Sequence, residues 1–282
     1  MKLTTAIIPV AGYGTRRLPI TKTIEKCMLP ICNRPIVDYT VEACVAAGLT
    51  DIIFVVSPEH RQLRSYYEPD EALEQYLKRQ GKESKLADLP ATGTMRFHYI
   101  VQDITGAYGT AIPVWLAKKL VQDEECFIVM TGDDFLYNPT SPAVNIQKMV
   151  AAMEQAGAEG CLLGIELAKE LIPHYSLVQL KHDPTGPELL EQLIEKPDIS
   201  QVTSNIANIS RYIFTPQIFP YIERLLARED TKKEYYITDV INAYAAEHRM
   251  VVERATGEYL DGGNLDSWIA ANNFVYAAQF ER

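Results

Sequence analysis

Gly12, Gly14, Arg16, Arg17, Lys22, Lys26 and Arg34 stand within 23 residues of one another, directly after the apolar run Ala6-Ile7-Ile8. Glycines without a Cβ let the backbone turn sharply and bring its N–H groups close to an anion. The cations supply counter-charge, opposed only by Glu25 before Asp38 is reached. This pattern suits a polyphosphate held by main-chain donors and neutralised by side chains. It fails the dinucleotide fingerprint, because Arg17 stands where G-x-G-x-x-G requires its third glycine. The local positive excess runs against a formal net charge of −10.

Carboxylates recur where further strands are expected to end. Asp133 and Asp134 follow Phe127-Ile128-Val129-Met130, Glu195 and Lys196 follow Leu189–Ile194, and Asp261 precedes Gly262-Gly263. In open α/β sheets ligands bind beyond the carboxyl ends of the strands. A strand-end carboxylate beside glycines suits Mg2+, which takes few protein oxygens and keeps waters or phosphates. Taken singly, each such residue is more often a helix cap or a solvated turn. It is the combination that points to phosphate chemistry.

Length and composition exclude several classes. At 282 residues, 47% hydrophobic and 23% charged, the chain reads as a globular protein with a sizeable core. The five cysteines, at 27, 32, 44, 126 and 161, form no zinc-like pairs and read as reduced, mostly buried thiols. Neither G-x-S-x-G nor G-x-x-x-x-G-K-[ST] occurs, which disfavours α/β-hydrolases and P-loop NTPases. The acidic balance argues against nucleic acid as a partner. Without a signal-like N-terminus or a membrane-length apolar run, a cytoplasmic protein is expected.

The elements that must position these residues alternate through the first half. Strands are expected at Thr4–Val10, Asp51–Ser57, Met95–Gln102 and Cys126–Met130, and helices at Pro35–Gly48, Arg61–Glu83, Thr110–Leu120 and Pro142–Gln155. The second half shifts to strands at Gly160–Glu166, Ser176–Leu180, Leu189–Ile194 and Asn205–Phe214, with a turn at Pro184-Thr185-Gly186-Pro187. Helices at Pro216–Leu226 and Thr238–Glu247, a strand at Met250–Ala255 and a helix from Asp266 complete the pattern. The expectation is an α/β fold with a Rossmann-like, mostly parallel but mixed sheet, and helices on both faces. No linker divides the chain, so residues 1–282 read as one domain whose pattern changes between its two halves.

Gly12-Tyr13-Gly14-Thr15-Arg16-Arg17-Leu18-Pro19, followed by Thr21-Lys22 and Lys26-Cys27-Met28-Leu29-Pro30, resembles the G-x-G-T-R-x-x-P signature of the sugar-1-phosphate nucleotidylyltransferases. The bacterial UTP:glucose-1-phosphate uridylyltransferase branch is most similar, and Tyr66–Leu89 looks like its distinguishing insertion. The resemblance implies a GT-A-like nucleotidyltransferase fold and transfer of a uridylyl group from UTP to glucose 1-phosphate, with Mg2+. Ala11, Gly12, Gly14 and Thr15 would cradle the nucleotide, Gln102 and Gly106 would read the base, and Arg16 and Lys26 would act on the phosphates. Ser176, Glu195 and Lys196 would bind the sugar phosphate, and Asp133 and Asp261 the metal, with Asp134 a weaker substitute for Asp133. Ser204-Asn205, Glu234 and Thr238-Asp239 continue the family's order. The resemblance also implies a nucleotide-binding half over 1–135, a sugar-phosphate-binding half with the C-terminal helix over 136–282, and a homodimer or homotetramer.

A phosphate monoester has its second pKa at about 6 and needs no general base to attack. Positioning and charge neutralisation then suffice, which fits a site without a His or Ser nucleophile. The departures fall on the acceptor side. Ser176 stands where the uridylyltransferases have glycine in Tyr-Gly-x-Val, and Lys232–Asp239 loses both glycines and the glutamine of G-G-E-I-Q-L-T-D. Thr105 replaces a proline and Cys27 an acidic residue. Use of dTTP or CTP, of another hexose 1-phosphate, or a nucleotide-sugar sensor without turnover, are the alternatives.

Overall fold

The computed structural model describes residues 1–90, 92–103, 105–168, 172, 175–182, 186–198, 202, 204–228 and 234–280. The first half contains β1 (Leu3–Pro9), the short hairpin β2 (Pro30–Ile31) and β3 (Arg34–Pro35), α1 (Ile36–Ala46), β4 (Asp51–Val56), α2 (Gln62–Tyr67) and α3 (Glu71–Arg79). It continues with β5 (Arg96–Val101), α4 (Ile112–Leu116), α5 (Lys118–Val121), β6 (Cys126–Met130), β7 (Asp134–Tyr137) and α6 (Val144–Ala156). Then come β8 (Gly160–Glu166), β9 (Ser176–Leu180), β10 (Leu190–Glu195), β11 (Ile206–Phe214), α7 (Phe219–Leu226) and α8 (Ile237–Glu247). The last elements are β12 (Met250–Arg254), β13 (Glu258–Asp261) and α9 (Leu265–Phe280).

Nine strands form one mixed sheet. Its path runs β10-β9-β11-β6-β1-β4-β5, and β8 joins β11 to β12. β1, β4, β5 and β6 are mutually parallel, whereas β11 is antiparallel to β6, β8 and β9. The parallel half reads as apolar on both faces because helices cover both. Alternation along β1 shows this directly: Ile7 points to the core beneath α7 and α8, and Ala6 and Ile8 to the opposite core beneath α1 and α6. A third cluster, with Ile31, Ile36, Phe135, Leu260 and Val275, seats α9 on the β7–β13 ribbon.

The mixed α/β sheet and most elements follow the sequence expectation; the departures have local causes. The single helix expected over Arg61–Glu83 is two helices, because Pro69 removes a donor and pushes Glu68 out of helical conformation. Asp70 then caps α3, accepting from Leu73 N at 2.9 Å. The helix expected over Thr110–Leu120 divides at Ala117. Strands β7 and β13 were not anticipated; they pair antiparallel, Asp261 opposite Asp134. All five cysteines are free and four are buried, Cys32 being half-buried. Burial pushes the Cys44 and Cys126 thiols up to about 12. Residues 184–185 of the expected turn and residues 232–233 lie outside the described set. Among the described residues, no helix is long and apolar enough to cross a membrane.

Candidate active site

At the carboxyl end of β1 the chain leaves the sheet and folds back on itself. Gly14 adopts φ +63°, a left-handed conformation that glycine enters without strain, and a Cβ there would press on Thr21 and Lys26. Thr21 Oγ1 donates to Gly14 O at 2.9 Å and Arg17 N to the same oxygen at 2.8 Å, closing the loop. Gly12, Gly14, Thr15, Arg16, Lys26 and Asp133 line one cavity of about 600 Å³. Ala11 and Gln102 line a second, of about 430 Å³, whose wall is mainly apolar. Gly12, Tyr13 and Tyr108 belong to both, so the two are contiguous.

The five loop cations divide by environment, and Lys22 is exposed. Arg16 and Lys26 face the 600 Å³ cavity. Arg34 is taken up by Asp38 Oδ2 at 2.7 Å and Glu42 Oε2 at 3.0 Å, and stacks over Tyr39. Arg17 is buried with its Cζ 4.7 Å from the Trp268 ring centroid, in electrostatic reach of Asp261, and its Nε and Nη1 have no hydrogen-bond partner among the described residues. Burial lowers its pKa, and Asp261 opposes the shift. The one acid among them, Glu25, is turned away: its Oε1 accepts from Arg61 N at 2.6 Å and Gln62 N at 2.7 Å, tying the start of α2 to the segment that carries Lys26.

Asp133 and Asp134 are adjacent, yet they have separate fates. Asp134 is buried and fully engaged, accepting Arg211 Nη1 at 2.6 Å, Thr131 Oγ1 at 2.7 Å and Tyr259 OH at 3.1 Å. Burial pushes its carboxyl up while Arg211 works against that shift. Asp133 lines the cavity and forms an ion pair with Lys26. Its carbonyl accepts Gly262 N at 2.9 Å, which joins the β6–β7 turn to the end of β13 and brings Asp261 alongside. Only glycine allows this approach, since a Cβ on Gly262 would stand 2.6 Å from Ile36 Cδ1. Asp261 accepts Gly263 N at 2.7 Å and Ser267 Oγ at 3.4 Å, while Asn264 caps α9, its Oδ1 accepting Ser267 N at 3.0 Å.

The chemistry of this donor set fits Mg2+. The backbone contact of Gly262 with Asp133 sets Asp261 near Asp133, the nearby Cys27 thiol is buried and pushed up, and among the described residues no group of three or more His, Cys, Asp or Glu is placed to hold a metal. A hard cation would therefore complete its shell with phosphate oxygens and water.

Of the residues expected to bind the sugar phosphate, Ser176 opens β9 opposite Glu195 at the end of β10, and its Oγ is buried without a hydrogen-bond partner among the described residues. Lys196 N donates to Tyr175 O at 3.2 Å, and Lys196 is held at φ 42°. Left-handed backbone at a non-glycine residue concentrates at functional sites. None of these three residues lines either cavity. Glu195 acts on Tyr212, which lines the smaller cavity, and Asp261 acts on Tyr175. Gly106 also stays off the lining, on an exposed loop turned by Asp103, whose Oδ1 accepts Thr105 N at 2.8 Å.

Sequence reasoning missed Tyr108, Ser210 and Tyr212 as lining residues. Ser210 sits at φ 54° where the pairing of β11 with β8 shifts register, and no local pattern announces that bulge. Gly109, which with Ala111 belongs to the loop that resembles the family's base-reading segment, sits in a clamp where Tyr235 N donates to Tyr108 O and Ala111 N to Tyr235 O, both at 2.9 Å.

Fold and site together define a nucleotide-handling α/β transferase. Residues 5–278 match the family model described as Nucleotidyl transferase, and the chain belongs to that family. A UTP–glucose-1-phosphate uridylyltransferase of Staphylococcus saprophyticus is 33% identical over 265 residues, 93% of this chain and 89% of the relative. One from Bacillus subtilis is 32% identical over 268 residues, 93% and 87% of the two chains. A crystal structure of UDP-glucose pyrophosphorylase complexed with UDP-glucose superimposes with a TM-score of 0.81 at 28% identity, covering 99% of this chain and 100% of that one.

Proposed function

We propose that this nucleotidyltransferase moves the uridylyl group of UTP to glucose 1-phosphate, giving UDP-glucose and pyrophosphate. The observation that carries the reading is the convergence of Gly12–Arg16, Lys26 and Asp133 on one cavity, contiguous with an apolar cavity that offers Gln102. Names of relatives at about a third identity supply the substrate pair.

A sugar-phosphate oxygen attacks the α-phosphorus in line, its new P–O bond forming as the bond to the β-phosphate oxygen breaks and pyrophosphate leaves. Backbone N–H groups of the Gly12–Thr15 turn and the Arg16 guanidinium hold the triphosphate. Lys26 neutralises charge building between the α-phosphate and the leaving group, a role pre-organised cations fill well. Gln102 presents an amide to the edge of uracil, Glu195 accepts from sugar hydroxyls, Ser176 abuts the ring, and Lys196 pairs with the sugar phosphate. Gly106 keeps the base loop open. Asp133 and Asp261 would hold Mg2+, which would supply positive charge to offset that of the reacting phosphates.

Pyrophosphate release measured against UTP, dTTP and CTP, each with several hexose 1-phosphates, tests the pairing. The highest kcat/KM is expected for UTP with glucose 1-phosphate; a clear preference for dTTP or CTP would refute the uridylyl assignment. A homodimer or homotetramer belongs to the same proposal, and sedimentation equilibrium reads it directly.

A further inference from the structure

Lys26 Nζ contacts Asp133 Oδ2, and both side chains are largely withdrawn from solvent, at 15% and 32% exposure. The reading above assigns each of them another partner: a phosphate for Lys26, a divalent cation for Asp133. One carboxylate oxygen cannot hold the ammonium and a metal ion together at full strength. Asp134 offers no substitute, since its oxygens are already committed to Arg211, Thr131 and Tyr259.

We infer that Lys26 is the resident counter-ion of the metal site, so that a divalent cation gains Asp133 only as a nucleotide phosphate draws Lys26 away. A phosphate draws an ammonium through charge-assisted hydrogen bonds, and this movement releases the carboxylate. Metal and nucleotide then favour one another's binding through a single shared side chain, and the coupling is reciprocal. Asp133, neutralised meanwhile, is not left as a bare carboxylate in a partly desolvated cleft. The inference rests on the proposed metal role of Asp133, so its test must separate the two.

Mn2+ binding to the nucleotide-free protein, followed by the electron paramagnetic resonance signal of the free ion, provides that separation. Lys26→Met should bind Mn2+ ~10-fold more tightly than the native chain. Lys26→Arg, which keeps a cation in reach, should stay near native affinity, and so should Lys22→Met, which removes the same charge from the same loop away from Asp133. Asp133→Asn should lose the site. Unchanged or weaker binding by Lys26→Met overturns the inference while leaving the metal assignment standing. Equal tightening by Lys22→Met also overturns it, since net charge would then be the cause. Native-like Mn2+ binding by Asp133→Asn overturns the metal assignment and the inference together. Circular dichroism of each variant confirms that the fold is intact.

Discussion

At the residue scale, Ser176 distinguishes this site from the glycine-bearing pattern that its sequence otherwise resembles. Its Oγ is buried without a partner among the described residues. Leaving a buried hydroxyl unsatisfied costs about 1–3 kcal/mol, which a sugar hydroxyl would recover on binding. Ser176→Ala should therefore raise the melting temperature slightly while raising KM for the sugar phosphate several-fold and leaving KM for the nucleotide unmoved. Thermal denaturation and a two-substrate kinetic analysis read both effects, and an unchanged sugar-phosphate KM would remove Ser176 from the acceptor pocket. Residue identity at this scale was partly legible. Lys26 and Asp133 were singled out by type and setting, and both line one cavity. Arg17 and Arg34 looked equivalent to Arg16, and only their distant partners, Trp268 for the first and Asp38 with Glu42 for the second, show that they are not.

At the element scale, helix caps and strand-edge pairs hold the loops in place. Glu25 reaches the first N–H groups of α2, so Glu25→Ala should cost about 1 kcal/mol of stability, the ordinary worth of a helix N-terminal cap. Because the same contact anchors the Lys26 turn, kcat should fall with it; urea denaturation and steady-state kinetics measure the two. Between β4 and β5, hydrogen bonds from Arg96 and then His98 hold the Asp51 carboxyl well below the usual carboxylate range, against the effect of burial. A carboxyl depressed in the folded state stabilises fully above its unfolded value of about 3.9, and loses that contribution as pH falls through the folded value. Asp51→Asn should thus be less stable than the native chain at pH 7, and the gap should narrow progressively as pH falls below about 4. Melting temperatures across that range would show it; a gap independent of pH would contradict the assignment. Periodicity located most elements to within a residue or two because buried strands and amphipathic helices write themselves in side-chain spacing. It missed β7 and β13, short strands whose signal is their pairing with each other.

For the whole molecule, one sheet draws strands from Leu3 to Arg254, with β8 from the second half paired to β12 and β11 to β6 from the first. The two halves therefore share a core, and we propose a single cooperative domain. Far-ultraviolet circular dichroism and the fluorescence of Trp115 and Trp268, which lie in different parts of the fold, should report coincident thermal transitions. Separate transitions would divide the chain.

From the order of its residues alone, this protein's phosphate loop, its strand–helix alternation and the mixed character of its second half could be read. Each depends on neighbours in the chain: a glycine's missing Cβ, a buried strand's apolar run, a proline's absent donor. Tertiary structure decided which carboxylate is available and which is spent. Asp133 and Asp134 differ in surroundings because Arg211 and Tyr259, 77 and 125 residues beyond Asp134, reach one of them and not the other. Electrostatic and hydrogen-bond energies depend on distance in space, and that is set only when the strands have found their partners.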